Sequence, residues 1–448
     1  MTTALIEAST GRSLGYDELK VLTGRFASLM SIGANKQLVL IAAKNRINII
    51  AALRGAWQAG HAVLLVDAAL PATMLQGWVT LYAPSILVLP KDHALQPGED
   101  YGAAKNFEDL AVYMRCDSGP ALHPDLALLL TTSGSTGSSK LVRLSRQNLD
   151  ANTAAIIAAL GIMPQDRAAA HMPLAYSYGL SVVNTHLVAG ASLVLIEENM
   201  TEGAFWKAMR EYKVTTLPGV PYHFAVIEKL GLDRLDVPHL RVMTQAGGRM
   251  EPERVSWFAT ALQKRGGQLF VMYGQTEAGP RMTVLPAARA LDKPDSVGLP
   301  LPRGKITIEG GEVIYNGPNV MMGYAENGGD LALGDEMRGR LATGDLGTLD
   351  EESYLFISGR KQRFAKIDGI RINLDELENI AGALAPTAIV EHEGQLVLFT
   401  TGDVDAIRLH VANCVRVHAS RLMGQKIAAL PLLASGKIDA QSLRKLLP

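Results

Sequence analysis

The segment Leu128-Leu129-Leu130-Thr131-Thr132-Ser133-Gly134-Ser135-Thr136-Gly137-Ser138-Ser139-Lys140 runs from apolar residues into a loop of Ser, Thr and Gly closed by a lysine. Residues this small let backbone N–H groups approach an anion, hydroxyls add donors, and the lysine adds charge. Such a set suits the cradling of a phosphate. A Walker A loop ends in Gly-Lys-Ser/Thr and leads straight into a helix. Here Ser139 precedes Lys140, and Leu141-Val142-Arg143-Leu144 alternates like a strand. A helix is expected only after Ser145, a good N-cap type for the run from Asn148 onward. Strand, loop and strand argue against a P-loop ATPase or kinase. Taken alone, the segment reads equally as a flexible Ser/Gly turn.

Further segments follow in order: Tyr273-Gly274-Gln275-Thr276-Glu277, Thr343-Gly344-Asp345, Gly359-Arg360 through Glu378, and Ser435-Gly436-Lys437. With them the chain, from about Gly55 to Lys437, resembles the superfamily of adenylate-forming enzymes. That superfamily holds acyl-CoA synthetases, the adenylation domains of peptide synthetases, and firefly luciferase. The resemblance implies activation of a carboxylic acid by ATP and Mg2+ to an acyl-adenylate, with release of pyrophosphate. Transfer to the thiol of coenzyme A then gives a thioester. Two alternatives stand beside this reading: a stand-alone acyl-AMP ligase that loads the phosphopantetheine of a separate acyl carrier protein, and a catalytically silent homologue that serves as a binding protein.

Joining a carboxylate to a phosphate brings two anions together, so positive charge and N–H donors must meet the transition state. The resemblance assigns the β- and γ-phosphates to Thr131, Thr132, Ser133, Gly134, Ser135, Thr136, Gly137 and Lys140. Family members usually carry Pro before this lysine and Gly after it; Ser139 and Leu141 stand there instead. Tyr273, with Gly274 and Gln275 beside it, is the expected adenine platform. Thr276 is expected at the α-phosphate, and Glu277 on the metal. Gly247 and Gly248, in Gln245-Ala246-Gly247-Gly248-Arg249, match the family loop that lines adenine on one side and the acyl pocket on the other. Asp345 matches the acceptor of the ribose hydroxyls, which must be an ionised oxygen, and Arg360 matches an arginine at the ribose or phosphate. Lys437 matches the lysine that stabilises the adenylation transition state. Lys361 and Gln362 fall at the hinge, where Gln362 replaces the usual Asp or Lys. Lys366, Gly369 and Arg371 match the face used for the thiol step.

The acid itself is only bounded. Amino-acid-activating members place an Asp in the segment matching His171 to Leu180, which contains no acidic residue. A buried ammonium without a partner is costly, so an α-amino acid is disfavoured. Pocket walls are expected from Tyr176, Tyr178, Val220, Tyr222, Gln245 and Ala278, which suit a medium-sized carboxylic acid. His171, His186 and His223 lack an accompanying nucleophile motif and read as structural.

These residues need a scaffold. Leu38-Val39-Leu40-Ile41, a helical pattern from Ile47 to Ala59, and the strand-like Ala62 to Val66 alternate as parallel α/β layers do. Ile306 to Ile314 reads as a hairpin about Gly310-Gly311, and Asn373 with Glu376 as a capping-box start of a helix. The expected chain is α/β. A large N-terminal domain of parallel α/β layers, residues 1–360, includes a β-rich subdomain at about 298–358. A hinge at 361–362 leads to a small mobile α+β C-terminal domain, 363–448.

Composition sets outer limits. At 448 residues, two or three domains are expected. A net charge of −1 gives no hint of a nucleic-acid or anionic-membrane partner. Two cysteines far apart suit a reducing cytoplasm. No run approaches the ~18 apolar residues of a membrane span.

Overall fold

The run Leu38–Ala43 is apolar at every position because it forms a central strand, buried on both faces. It lies parallel to Ala62–Asp67, with Leu38 opposite Ala62, and on its other side parallel to Ile86–Pro90. The helix Ile47–Gln58 provides the crossover. In this computed structural model, residues 2–31, 35–131, 140–361, 364–367, 370–392, 395–415, 422–433 and 438–447 are described. Of the residues singled out above, Thr132, Ser133, Gly134, Ser135, Thr136, Gly137, Ser138, Ser139, Gln362, Gly369, Ser435, Gly436 and Lys437 lie outside these ranges.

The chain packs as two units, Met1–Lys305 with Asn316–Leu341, and Ile306–Tyr315 with Ala342–Pro448. The first unit contains two large sheets. One has the parallel core Gln268–Tyr273, Val242–Gln245, Thr216–Gly219, Arg167–Ala170, Ser192–Leu195 and Thr3–Glu7. Antiparallel strands close its ends, Thr283–Leu285 with Leu299–Pro300 on one side and Ser13–Gly15 on the other. The other sheet runs Gly323–Ala325, Leu141–Ser145, Leu126–Thr131, Ala62–Asp67, Leu38–Ala43, Ile86–Pro90, Leu110–Met114 and Lys105–Phe107. The layers are thus mixed: parallel at the centre, antiparallel at the edges. Helices cover these sheets and share one core that includes Phe26, Ile50, Leu128, Leu180 and Leu193.

Two local expectations reappear as geometry. Ser145 caps the helix Arg146–Leu160, its Oγ accepting the Asn148 N–H at 3.0 Å while Asn148 Oδ1 accepts the Ser145 N–H at 2.8 Å. The strand beginning at Leu141 is pinned by Arg143, whose buried guanidinium donates to Glu336 and to the carbonyls of Tyr324, Leu333 and Gly334.

The strands Lys305–Glu309 and Glu312–Asn316, which lie mostly in the second unit, flank Gly310 and Gly311, whose φ of +58° and +84° are the left-handed values a tight hairpin needs. Arg340–Leu349 and Leu355–Arg360 complete that sheet. A hairpin, Phe364–Ile367 with Ile370–Asn373, precedes the helix Leu374–Gly382. Then Thr387–His392 pairs antiparallel with Gln395–Thr400. After the helix Val404–Val415, Leu422–Lys426 adds a parallel strand. Leu377, Ile389, Leu398 and Val411 form the core of this α+β layer.

Candidate active site

Leu126–Thr131 and Leu141–Ser145 are adjacent antiparallel strands with Thr131 opposite Leu141. The Ser/Thr/Gly segment therefore joins two paired strands, unlike the strand-to-helix passage of a P-loop. Lys140 stands at its exit, with Nζ 3.7 Å from the centroid of the Tyr324 ring and 3.9 Å from Glu326 Oε1. The Tyr324 hydroxyl donates to Glu277 Oε1 at 3.0 Å. Burial first, and the Glu277 carboxylate second, push the Tyr324 phenol upward, so it stays a donor. A cation, a phenol and a carboxylate thus lie in a row. They meet because Gly323–Ala325 pairs with Leu141–Ser145, with Tyr324 opposite Val142.

Tyr273 ends the strand Gln268–Tyr273, the C-terminal edge where α/β sheets bind ligands. Gly274 and Gln275 lead into the tight turn Thr276–Ala278. Thr276 is buried, and its Oγ1 meets Ser177 Oγ at 3.2 Å. Ser177 begins the helix Ser177–Val188, whose end presents unpaired N–H groups and partial positive charge. Two buried carboxamides fix the turn from behind. Asn319 donates to the carbonyls of Ala278 and Arg281 at 2.6 and 2.9 Å, and Asn152 donates to Arg281 O at 2.8 Å while accepting its N–H at 3.3 Å.

Tyr176, Val220, Gln245, Gly247 and Gly248 come together in this unit. A Cβ at Gly247 would lie 2.5 Å from Tyr176 Oη and 3.1 Å from Val220 Cγ1, so the loop backbone rests on the tyrosine. Gln245, buried, donates to Gly248 O at 2.7 Å. Burial pushes the Tyr176 phenol up to about 12. Tyr178, at a ring distance of 6.2 Å from Tyr176, donates to Thr244 O at 2.8 Å. Tyr222 lies on the helix Pro221–Leu230, tilted against His223, and Ala278 is fully buried in its turn.

The three histidines are held by carbonyls and amides. His171 Nε2 lies 2.7 Å from Pro218 O, His186 Nδ1 lies 2.9 Å from Val182 O, and His223 Nδ1 accepts the Val220 N–H at 3.2 Å. Burial pulls His171 and His186 down to about 4 and lowers His223 well below the ordinary range. They are neutral at physiological pH.

In the second unit, Asp345 and Arg360 are cross-strand partners, and Arg360 Nε donates to Asp345 Oδ1 at 3.1 Å. Lys361 is anchored twice, by Nζ to Glu312 Oε2 and by its N–H to Gly344 O, each at 2.7 Å. Lys366 and Arg371 are in register on the hairpin. The backbone flanking Lys437 is tied by a bridge between Leu432 and Ile438 and by the Asp439 N–H to Pro431 O at 2.8 Å.

Sequence reasoning missed Ser177, Tyr324, Asn152, Asn319 and Arg281. One signal was available for the last: Arg281 is the sole charge in the run from Ala278 to Leu285.

The profile of the AMP-binding enzyme family matches residues 2–325. Indoleacetate–CoA ligase of Aromatoleum aromaticum is 27% identical over 73% of this chain and 68% of its own length. Luciferin 4-monooxygenase of Nipponoluciola cruciata is 26% identical over 72% of this chain and 64% of its own. The chain thus spans about two thirds of the length of these relatives. O-succinylbenzoate coenzyme A synthetase of Bacillus subtilis, solved with AMP, superposes at a TM-score of 0.77 with 21% identity, covering 99% of this chain and 95% of that one. The same synthetase, solved with ATP and a magnesium ion, gives a TM-score of 0.75. The α/β architecture is therefore that of the adenylate-forming superfamily, and the chain belongs to the AMP-binding enzyme family.

Proposed function

We propose that this protein activates a carboxylic acid with ATP to give an acyl-adenylate and pyrophosphate, then passes the acyl group to the thiol of coenzyme A. The row of Lys140, Tyr324 and Glu277 carries the proposal. It supplies a cation for departing phosphate oxygens and a carboxylate oriented by a phenolic donor. A lone carboxylate beside phosphates suits Mg2+, which keeps several waters and takes few protein ligands. Glu277 would hold that ion, whose chemistry is to neutralise phosphate charge.

The Thr276 hydroxyl lies against Ser177 at the start of the helix Ser177–Val188, so hydroxyl and helix N-terminal N–H donors are close together there. Preorganised donors of this kind favour the carboxylate and α-phosphate oxygens as charge shifts between them. Tyr273 with Gly247 and Gly248 would frame adenine, and Asp345 would accept the ribose hydroxyls beside Arg360. Lys437 acts in the adenylation transition state. Lys366, Gly369 and Arg371 act in the thiol step, with Lys361 and Gln362 as the hinge between the two half-reactions.

The test is product analysis. Full-length protein with ATP, Mg2+, coenzyme A and pooled carboxylic acids should form AMP, pyrophosphate and an acyl-CoA detectable by mass spectrometry. Formation of ADP and phosphate instead would overturn the reading.

A further inference from the structure

Arg281 is 3% exposed, yet no carboxylate pairs with it among the described residues. Its guanidinium stacks on Tyr178 with Cζ 3.8 Å from the ring centroid, and Nη2 reaches Ser181 Oγ only at 3.4 Å. Among the described residues, Nε is buried with no hydrogen-bond partner. By contrast Arg143, equally buried, meets Glu336 and three carbonyls. A buried cation left without a counter-charge is costly unless something arrives to pair with it.

The space beside Arg281 is a cavity of about 30 Å³ with a mixed wall, lined by Tyr178, Ser181 and Thr244 together with the apolar Ile156, Val182 and Met272. By the measure in which one water needs roughly 10–15 Å³, it holds a group the size of a carboxylate. The acid on its wall, Asp166, is already engaged, with Oδ1 on Arg241 at 2.9 Å and Oδ2 on the Met163 N–H at 2.8 Å. The cavity also adjoins the proposed acyl pocket, because Tyr178 is the ring neighbour of Tyr176.

We infer that the acid substrate carries a second carboxylate, and that Arg281 is the residue that selects it. The inference rests on the adenylation reading above. Helix geometry then limits the length. Ser177 marks the reacting end, at Thr276, and Ser181 marks Arg281; both lie on one face, one turn apart, about 6 Å along the axis. A short dicarboxylic acid of roughly four to six carbons spans that distance. An arginine fork pairs with a carboxylate far better than with a methyl terminus.

The experiment compares succinate and glutarate with butyrate and valerate in ATP–pyrophosphate exchange, using the wild type, Arg281→Met and Arg281→Lys. Calorimetric binding of glutarate to the same proteins without ATP runs beside it. The expected result is a diacid preference in kcat/KM of about tenfold or more, lost in Arg281→Met and partly kept in Arg281→Lys. Exchange with monoacids and no diacid preference, or a ratio unchanged in Arg281→Met, overturns the inference. If Arg281→Met does not fold, the wild-type ratio and Arg281→Lys decide. Absence of exchange with every acid, but Arg281-dependent binding of glutarate, would sink the adenylation reading and leave Arg281 as a carboxylate-binding site alone. Neither exchange nor binding removes both.

Discussion

Gly247→Ala probes the seat of the glycine loop against Tyr176. The residue has φ +85°, and its added Cβ would stand 2.5 Å from Tyr176 Oη and 3.1 Å from Val220 Cγ1. A left-handed backbone costs alanine about 1–2 kcal/mol, and overlap in a filled site costs about 1–3 kcal/mol more. Val220 is fully buried and belongs to the core, so it has little room to yield. The stability loss expected for Gly247→Ala is therefore roughly 2–5 kcal/mol. Tyr176→Phe removes the oxygen that the Cβ would strike but leaves the backbone strain. The double variant should recover most of the overlap part and none of the conformational part. Urea unfolding of the four proteins of that cycle gives the coupling directly. The same midpoint for Gly247→Ala and wild type would refute the reasoning, as would a Tyr176→Phe effect that adds to the loss instead of reducing it.

Tyr324→Phe deletes the donor to Glu277, and a hydrogen bond to a charged group is worth about 1.5–3 kcal/mol. The Mg2+ concentration giving half-maximal exchange should rise about ten- to a hundredfold; an unchanged Mg2+ titration would show that the phenol does not orient the carboxylate. Asn152→Ala leaves the N–H and carbonyl of Arg281 short of a partner in a buried site, which should cost about 1–3 kcal/mol in urea unfolding. A loss near zero would mean that Asn319 and solvent suffice. Acid should weaken the fold through the histidines. His171 and His186 titrate near 4 when folded and near 6.5 when unfolded. The unfolded chain therefore binds protons first, and stability present above pH 6.5 falls as pH drops toward 4, by about 3 kcal/mol for each. Urea midpoints that stay level between pH 7.5 and 5 would contradict this burial.

What was legible in the sequence was local. The Ser145 cap links residues three apart, and the Gly310-Gly311 hairpin needs only its own turn and flanking strands. The alternation around Leu38 to Val66 reads correctly because each strand and helix is long enough to show its period. The antiparallel edges, Lys105–Phe107 with Leu110–Met114 and Thr283–Leu285 with Leu299–Pro300, were not foreseen; short edge strands carry too few residues to declare a partner. Side-chain meetings across the fold were hidden for a related reason. Tyr324 lies 47 residues from Glu277, and Asn152 lies 129 from Arg281. Each contact depends on which strands become neighbours, a decision made by the whole sheet. The motif residues could be named because their types carry the chemistry; the groups that hold them could not.

Acid-dependent ATP–pyrophosphate exchange, without thiol, in wild type and Lys437→Ala tests the central claim most directly. The account predicts exchange in the wild type and its collapse in Lys437→Ala with ATP binding nearly intact, because that charge is needed mainly in the transition state. No exchange with any carboxylic acid from a protein that binds ATP, or full exchange in Lys437→Ala, would contradict it.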